Sequence, residues 1–114
     1  MDQQKPIVPG QMELWAGAEC TVNRVGDAFM CQLAHTGHRD RIGDLDLIAG
    51  LGAKALRLPI LWERVSPVSP DQQDWQWSDS RIARLRELAI RPIAGLVHHG
   101  SGPHYTSLVE DSFA

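Results

Sequence analysis

Polar and aromatic residues gather directly after three apolar runs, at 14–20, 55–61 and 92–97. Glu19 closes the first run, and Thr21, Asn23 and Arg24 follow it. Arg57 lies inside the second run, and Trp62, Glu63 and Arg64 follow it; His98 and His99 follow the third. Amide, guanidinium and imidazole groups bond hydroxyls, and an indole face covers the apolar side of a pyranose ring, so this mixture suits carbohydrate recognition. Asn23, His98 and His99 are the candidate substrate-binding residues, with Arg57, Glu19 and Trp62 as supporting residues. A guanidinium inside an apolar strand needs a partner, which makes Arg57 hard to explain as surface. Asn23 also has the plainer reading of a loop residue bonding its own backbone.

Other chemistries fit less well. Glu19 and Glu63 could act as an acid/base pair, but Glu63 in a Trp-Glu-Arg run is expected to pair with Arg64 or Arg24. His98 and His99 could join His104, or His35 and His38, around a metal, yet no Cys, Asp or Glu sits beside them at ligand spacing. No metal and no cofactor are expected. Trp75 and Trp77, just before a helix, are expected to pack over its start.

The elements that must position these residues show in the patterning. The apolar runs are of strand length and begin roughly 40 residues apart, with helical spacing between them, which is a βαβ rhythm. The first interval carries Ile42, Leu45, Ile48, Ala49 and Leu51 at helical spacing. Asp40, Asp44 and Asp46 stand near its start, and Gly50 and Gly52 end it, with Gly52 suited to C′. The second has Ser78 or Asp79 as N-cap candidate, Ile82, Leu85 and Leu88 on one face, and Arg81, Arg84 and Arg86 on the others. Parallel strands covered on both faces, with both helices on one side, are the expected arrangement. The segments 21–39 and 62–77 are long, rich in Gly, Pro, Asp and aromatics, and read as the functional loops. The fold class expected is α/β, an N-terminal β-α-β-α-β part of a (β/α)8 barrel, with an open sheet as the other possibility. Residues 1–12 read as a flexible N-terminal segment, residues 13–114 as the partial barrel, and residues 107–114 as the start of a third helix.

Composition narrows the class. The chain has 114 residues, 43% of them hydrophobic, enough for one core. Eleven Lys and Arg against 14 Asp and Glu give a net charge of -3 with both signs interspersed, which disfavours nucleic acid as partner. No apolar run approaches the roughly 20 residues of a membrane span. The start, with Pro6 and Pro9, lacks the pattern of a secretory leader, so a cytoplasmic location is expected. Cys20 and Cys31 are too few for a disulfide scaffold or a zinc site and read as reduced thiols.

Three segments carry a resemblance to family 1 glycoside hydrolases. Leu14-Trp15-Ala16-Gly17-Ala18, continuing to Asn23 and Gly26, resembles that family's first strand. The run from Ala55 through Arg57 and Trp62-Glu63-Arg64 to Pro67 resembles the second-strand signature, and Ala89 to His99 resembles the third strand. The wording is closer still to a divergent glycosidase-like branch found beside a sugar-nucleotide reductase of the dTDP-4-dehydrorhamnose reductase type. The resemblance implies a retaining O-glycosidase barrel, a carbohydrate substrate, and a fused or neighbouring reductase as partner. It matches Asn23 to a glycone-binding Gln, Arg57 to the Arg that keeps the nucleophile ionised, and His98 to a sugar-binding His. His99 and Gly100 depart from the family's Trp and Asp. The family's two carboxylates sit on its fourth and seventh strands, which this sequence does not reach, so the chain is expected to hold binding residues and to be inactive by itself. The alternative is a non-catalytic barrel module attached to the reductase.

Overall fold

The computed structural model describes residues 9–18, 21–97 and 102–113. Residues 1–8, most of the segment expected to be flexible, lie outside them, as do Glu19, Cys20, His98 and His99.

The strands are β1 (Leu14–Gly17), β2 (Val22–Val25), β3 (Ala28–Cys31), β4 (Ala53–Pro59) and β5 (Arg91–Gly95). The helices are α1 (Gln32–His35), α2 (Asp44–Gly50), α3 (Trp62–Val65) and α4 (Gln76–Glu87), with 3-10 turns at His38–Asp40 and Asp111–Phe113. The chain is a mixed α/β fold in which β1, β4 and β5 form a parallel sheet in that order, with β2 and β3 as a separate antiparallel pair. Among the described residues the sheet is not closed into a barrel.

The order follows from β4, whose side chains alternate between two destinations. Leu56 and Leu58 point to the helices and join Leu45 of α2, Leu85 of α4 and Ile90 in one buried cluster, with Ile60, Ile82 and Trp77 packed around it. Both helices therefore cover the same face, as the patterning predicts. Among the described residues no helix packs on the opposite face, contrary to the expectation for parallel strands. There the register sets Gly17, Arg57 and Ile93 side by side, and Trp15, Ala55 and Arg91 in the row below. Trp15 is 56% and Ile93 38% exposed. In the lower row the Glu13 carboxylate accepts from the Trp15 indole at 3.0 Å and pairs with Arg91, bridging the two outer strands across the buried Ala55.

Among the described residues the outer edge of β5 is also unpaired. Gly95 gives its carbonyl to the Ile60 N–H at 2.9 Å, so Arg91, Ile93 and Gly95 bond inward. Pro92 and Ala94 then face outward, because alternate residues of a parallel strand bond to opposite neighbours.

Several boundaries differ from the sequence reading, each for a local reason. The loop expected over 21–39 holds the β2–β3 hairpin, turned through Gly26 at φ +60° and Asp27; a Gly-Asp pair is a tight hairpin connection. Helix α2 stops at Gly50 and Gly52 takes φ +87° at C′, as expected, which leaves Leu51 on the surface at 73% exposure. Helix α4 starts at Gln76, before the expected Ser78 or Asp79, because the Asp74 carboxylate accepts the Gln76 N–H at 3.0 Å. Arg84 does not face solvent alone: it pairs with Asp46 of α2 and Glu87, joining the helices. In place of a third helix over 107–114 there is the 3-10 turn Asp111–Phe113. No described helix is long and apolar enough to cross a membrane.

The leucine cluster dominates stability. Leu56→Ala and Leu85→Ala should each cost about 2–5 kcal/mol, since both side chains are buried in the cluster; urea unfolding followed by circular dichroism measures it. Three carboxyls define the acid limit. Glu13, Asp44 and Asp46 are held below the ordinary carboxylate range by bonds from Arg91, His38 and Arg84. A carboxyl whose folded pKa is depressed contributes stability that is present above the unfolded value, about 4, and lost as pH falls through the folded one. The urea midpoint should therefore drop on acidification below about pH 4, and the triple change of Glu13, Asp44 and Asp46 to the amides should flatten that drop.

Candidate functional site

The strand ends carry two structures. The first is a mouth built by the β2–β3 hairpin and the 102–106 turn. Its organiser is Arg24, whose side chain is 7% exposed although it is charged. Arg24 Nη1 donates to the carbonyls of Gly102, Pro103 and Thr106 at 3.2, 3.1 and 2.5 Å, and Nε donates to Gly26 O at 2.9 Å. A planar guanidinium spans several acceptors at fixed geometry, which an ammonium does not. The guanidinium also lies 4.9 Å above the Phe29 ring centroid, and the His104 ring rests on Phe29 at 4.2 Å.

The turn is fixed from its other side by Glu63, which accepts the Gly102 N–H at 3.2 Å. Glu63 thus meets backbone and not Arg24 or Arg64, correcting the pairing expected from sequence. Gly102 sits at φ +82°, and a Cβ there would stand 2.8 Å from both Thr106 Cγ2 and Trp62 Cζ3. Tyr105 completes the clasp by donating its hydroxyl to Ser66 O at 2.9 Å.

The expected binding residues fall in different places. Asn23 sits in β2 opposite Met30, on a paired strand and not a free loop. Arg57 is half-buried on the uncovered sheet face. Gly17 stands close beside it, since a Cβ there would lie 3.2 Å from Arg57 Cβ, a tight contact. Trp62 opens α3 and is part of an aromatic cluster, 6.3 Å from Tyr105 and 5.5 Å from Phe113 between ring centroids. Glu19, His98 and His99 lie outside the described residues. Thr21 is buried, and its Oγ1 has no hydrogen-bond partner among the described residues. Also among them, no three His, Cys, Asp or Glu stand together as metal ligands. His38 is engaged elsewhere, with Nδ1 2.7 Å from Asp44 Oδ2. Trp77 packs as expected, donating its indole N–H to Arg39 O at 2.8 Å beneath the Arg81 guanidinium, whereas Trp75 stays 45% exposed.

The second structure is an apolar cavity of about 430 Å³ between α3, the 66–75 loop and the segment after β5. Trp62, Val65, Trp75, Leu96, Val97 and Phe113 form most of its wall. Sequence reasoning treated Trp75 as packing and did not find this cavity, whose far wall comes from residues 96–113.

Comparison with family models, with curated proteins and with solved structures finds no match to this chain.

Arg24 tests the mouth. Arg24→Ala should destabilise the fold by about 1.5–3 kcal/mol, because three carbonyls lose a charged donor. Arg24→Lys should recover less than half of that loss. Amide exchange by NMR should show protection falling first at Thr106, whose N–H bonds Pro103 O inside the same turn.

Proposed function

We propose that this chain supplies the sugar-binding part of a glycosidase-like (β/α) barrel, with Asn23, Arg57, His98 and His99 as the groups that meet the carbohydrate. The observation that carries the reading is Arg57. It is half-buried in a central parallel strand, on the face opposite the helices, and stands close against Gly17 of the neighbouring strand. Three further features support the reading. The parallel strands stand side by side in chain order, the helices share one face, and the longest insertions follow strands β1 and β4, where a βα fold concentrates its functional loops. The fold alone does not specify function; the weight rests on Arg57 and on the resemblance of its strand.

The mechanism assigned to this chain is recognition. A guanidinium on the uncovered face gives fixed donors to ring hydroxyls and an opposite charge to any carboxylate brought against it. A retaining hydrolysis needs two carboxyl groups about 5–5.5 Å apart. Of the two considered, Glu63 is committed to the Gly102 N–H. The chain should therefore release no p-nitrophenol from aryl β-glycosides above the buffer rate, and turnover abolished by Glu63→Gln would overturn this. Methyl β-glucopyranoside at millimolar concentration should shift the Arg57 guanidinium and Asn23 amide NMR signals. Shifts that leave both unmoved would sink the sugar reading.

A second reading is favoured by the uncovered sheet face, where Trp15 and Ile93 remain exposed. In it the module docks by that face onto a sugar-nucleotide reductase and contributes no catalysis. Sedimentation of the chain with a dTDP-4-dehydrorhamnose reductase distinguishes the two: a stable complex lost in Trp15→Lys supports docking.

A further inference from the structure

The cavity beside the mouth has a chemistry opposite to that of a sugar site. Its walls are the rings of Trp62, Trp75 and Phe113 with Val65, Leu96 and Val97. The other polar side-chain groups on it are already used. Ser66 Oγ donates to Ser69 O at 2.6 Å and stands 3.1 Å from the Tyr105 hydroxyl. Gln73 accepts from the Trp75 indole at 3.0 Å and donates to Pro70 O at 3.2 Å. The remaining side-chain donor is the Trp62 indole N–H, which has no acceptor among the described residues. A polyol placed here would surrender hydration for almost no return, because an unpaired hydroxyl in an apolar site costs about 1–3 kcal/mol.

We propose that this cavity is a binding site for a planar aromatic small molecule carrying at most one or two polar atoms. The inference goes beyond the sugar reading and does not rest on it.

Three observations select such an occupant. The volume of about 430 Å³ falls in the range of small-molecule pockets, roughly 300–1,000 Å³, and is lined as they are, by apolar and aromatic groups with few polar ones. The walls come from segments far apart in sequence, and the turn Asp111–Phe113 folds back so that Phe113 stands 5.5 Å from Trp62 at 58°. The ring planes of Trp62 and Phe113 on the cavity wall also meet at a large angle, 58°. A flat ligand entering among them meets both ring faces and ring edges, the two favourable aromatic geometries.

The test uses 2-naphthol as probe, with methyl β-glucopyranoside as the polar control, read by amide chemical shifts and by quenching of tryptophan emission. The expected result is saturable 2-naphthol binding with shifts confined to Ser66, Leu96, Val97 and the Trp62 and Trp75 indoles, and none of these from the glucoside. Trp75→Ala should weaken binding about tenfold, the scale of one lost ring contact, while Trp75→Phe retains most of it. Leu96→Lys alters an exposed wall residue, 67% accessible, and should abolish binding with the thermal melt unchanged. Three results would each overturn the proposal. One is glucoside binding to the same residues. Another is non-saturating shifts spread over Trp15 and Ile93 of the open sheet face. The third is shifts of the cavity amides with protein concentration alone, which would show a second copy as occupant. None depends on Asn23 or Arg57, so failure here leaves the sugar reading standing, and the converse also holds.

Discussion

Strand β4 is the constraint on which the rest depends. A parallel strand has to hide its side chains on both faces, and β4 hides one set by pressing Leu56 and Leu58 into Leu45 and Leu85. That single cluster fixes the height of both helices, and with them the points at which the chain leaves the sheet. Because α4 must reach the cluster with Leu85, its start is held near Trp77, which packs both on this core and on the smaller one of Val22, Leu33 and Leu61. The sheet and the hairpin are thus mechanically joined through one indole ring.

Charge then does what apolar burial does not reach. The Arg24 guanidinium of the hairpin holds the 102–106 turn by gathering carbonyls into one fork. A charge this deeply placed is tolerable only when its donors are met. The carbonyls of the turn supply that, while Glu63 fixes Gly102 from the opposite direction. The turn has no regular secondary structure and is nevertheless held at both the N–H and the carbonyl of one residue, Gly102.

Much of the α/β order was legible in the sequence because period and punctuation agree there. Leu45, Leu85 and Gly52 fall where spacing puts them, and β4 and β5 lie within two residues of the apolar runs that mark them. The hairpin was missed although Val25-Gly26-Asp27-Ala28 carries its signal, since the flanking strands are only four residues each and too short for alternation to show. The start of α4 was misplaced because Asp74 acts from two residues outside the helix, beyond where a cap is sought. The sites divide similarly. Arg57 stands out in sequence because it breaks an apolar run, whereas Arg24 and Glu63 look like ordinary surface charges until the 102–106 turn is brought against them. The cavity has no signature at all, being assembled from residues more than 50 positions apart.

The outward-facing Pro92 alters how this molecule behaves when crowded. The free margin of β5 would present two N–H donors, at positions 92 and 94, and a proline has none. One of the two hooks by which a stray strand could zip onto the margin is therefore missing. The inward bonds to β4 are untouched, because they run through Arg91, Ile93 and Gly95. The ring thus discourages runaway fibrillar growth at no cost to the sheet itself. It leaves the Ala94 N–H as the outward donor of that strand, beside the outward carbonyls of Pro92 and Ala94.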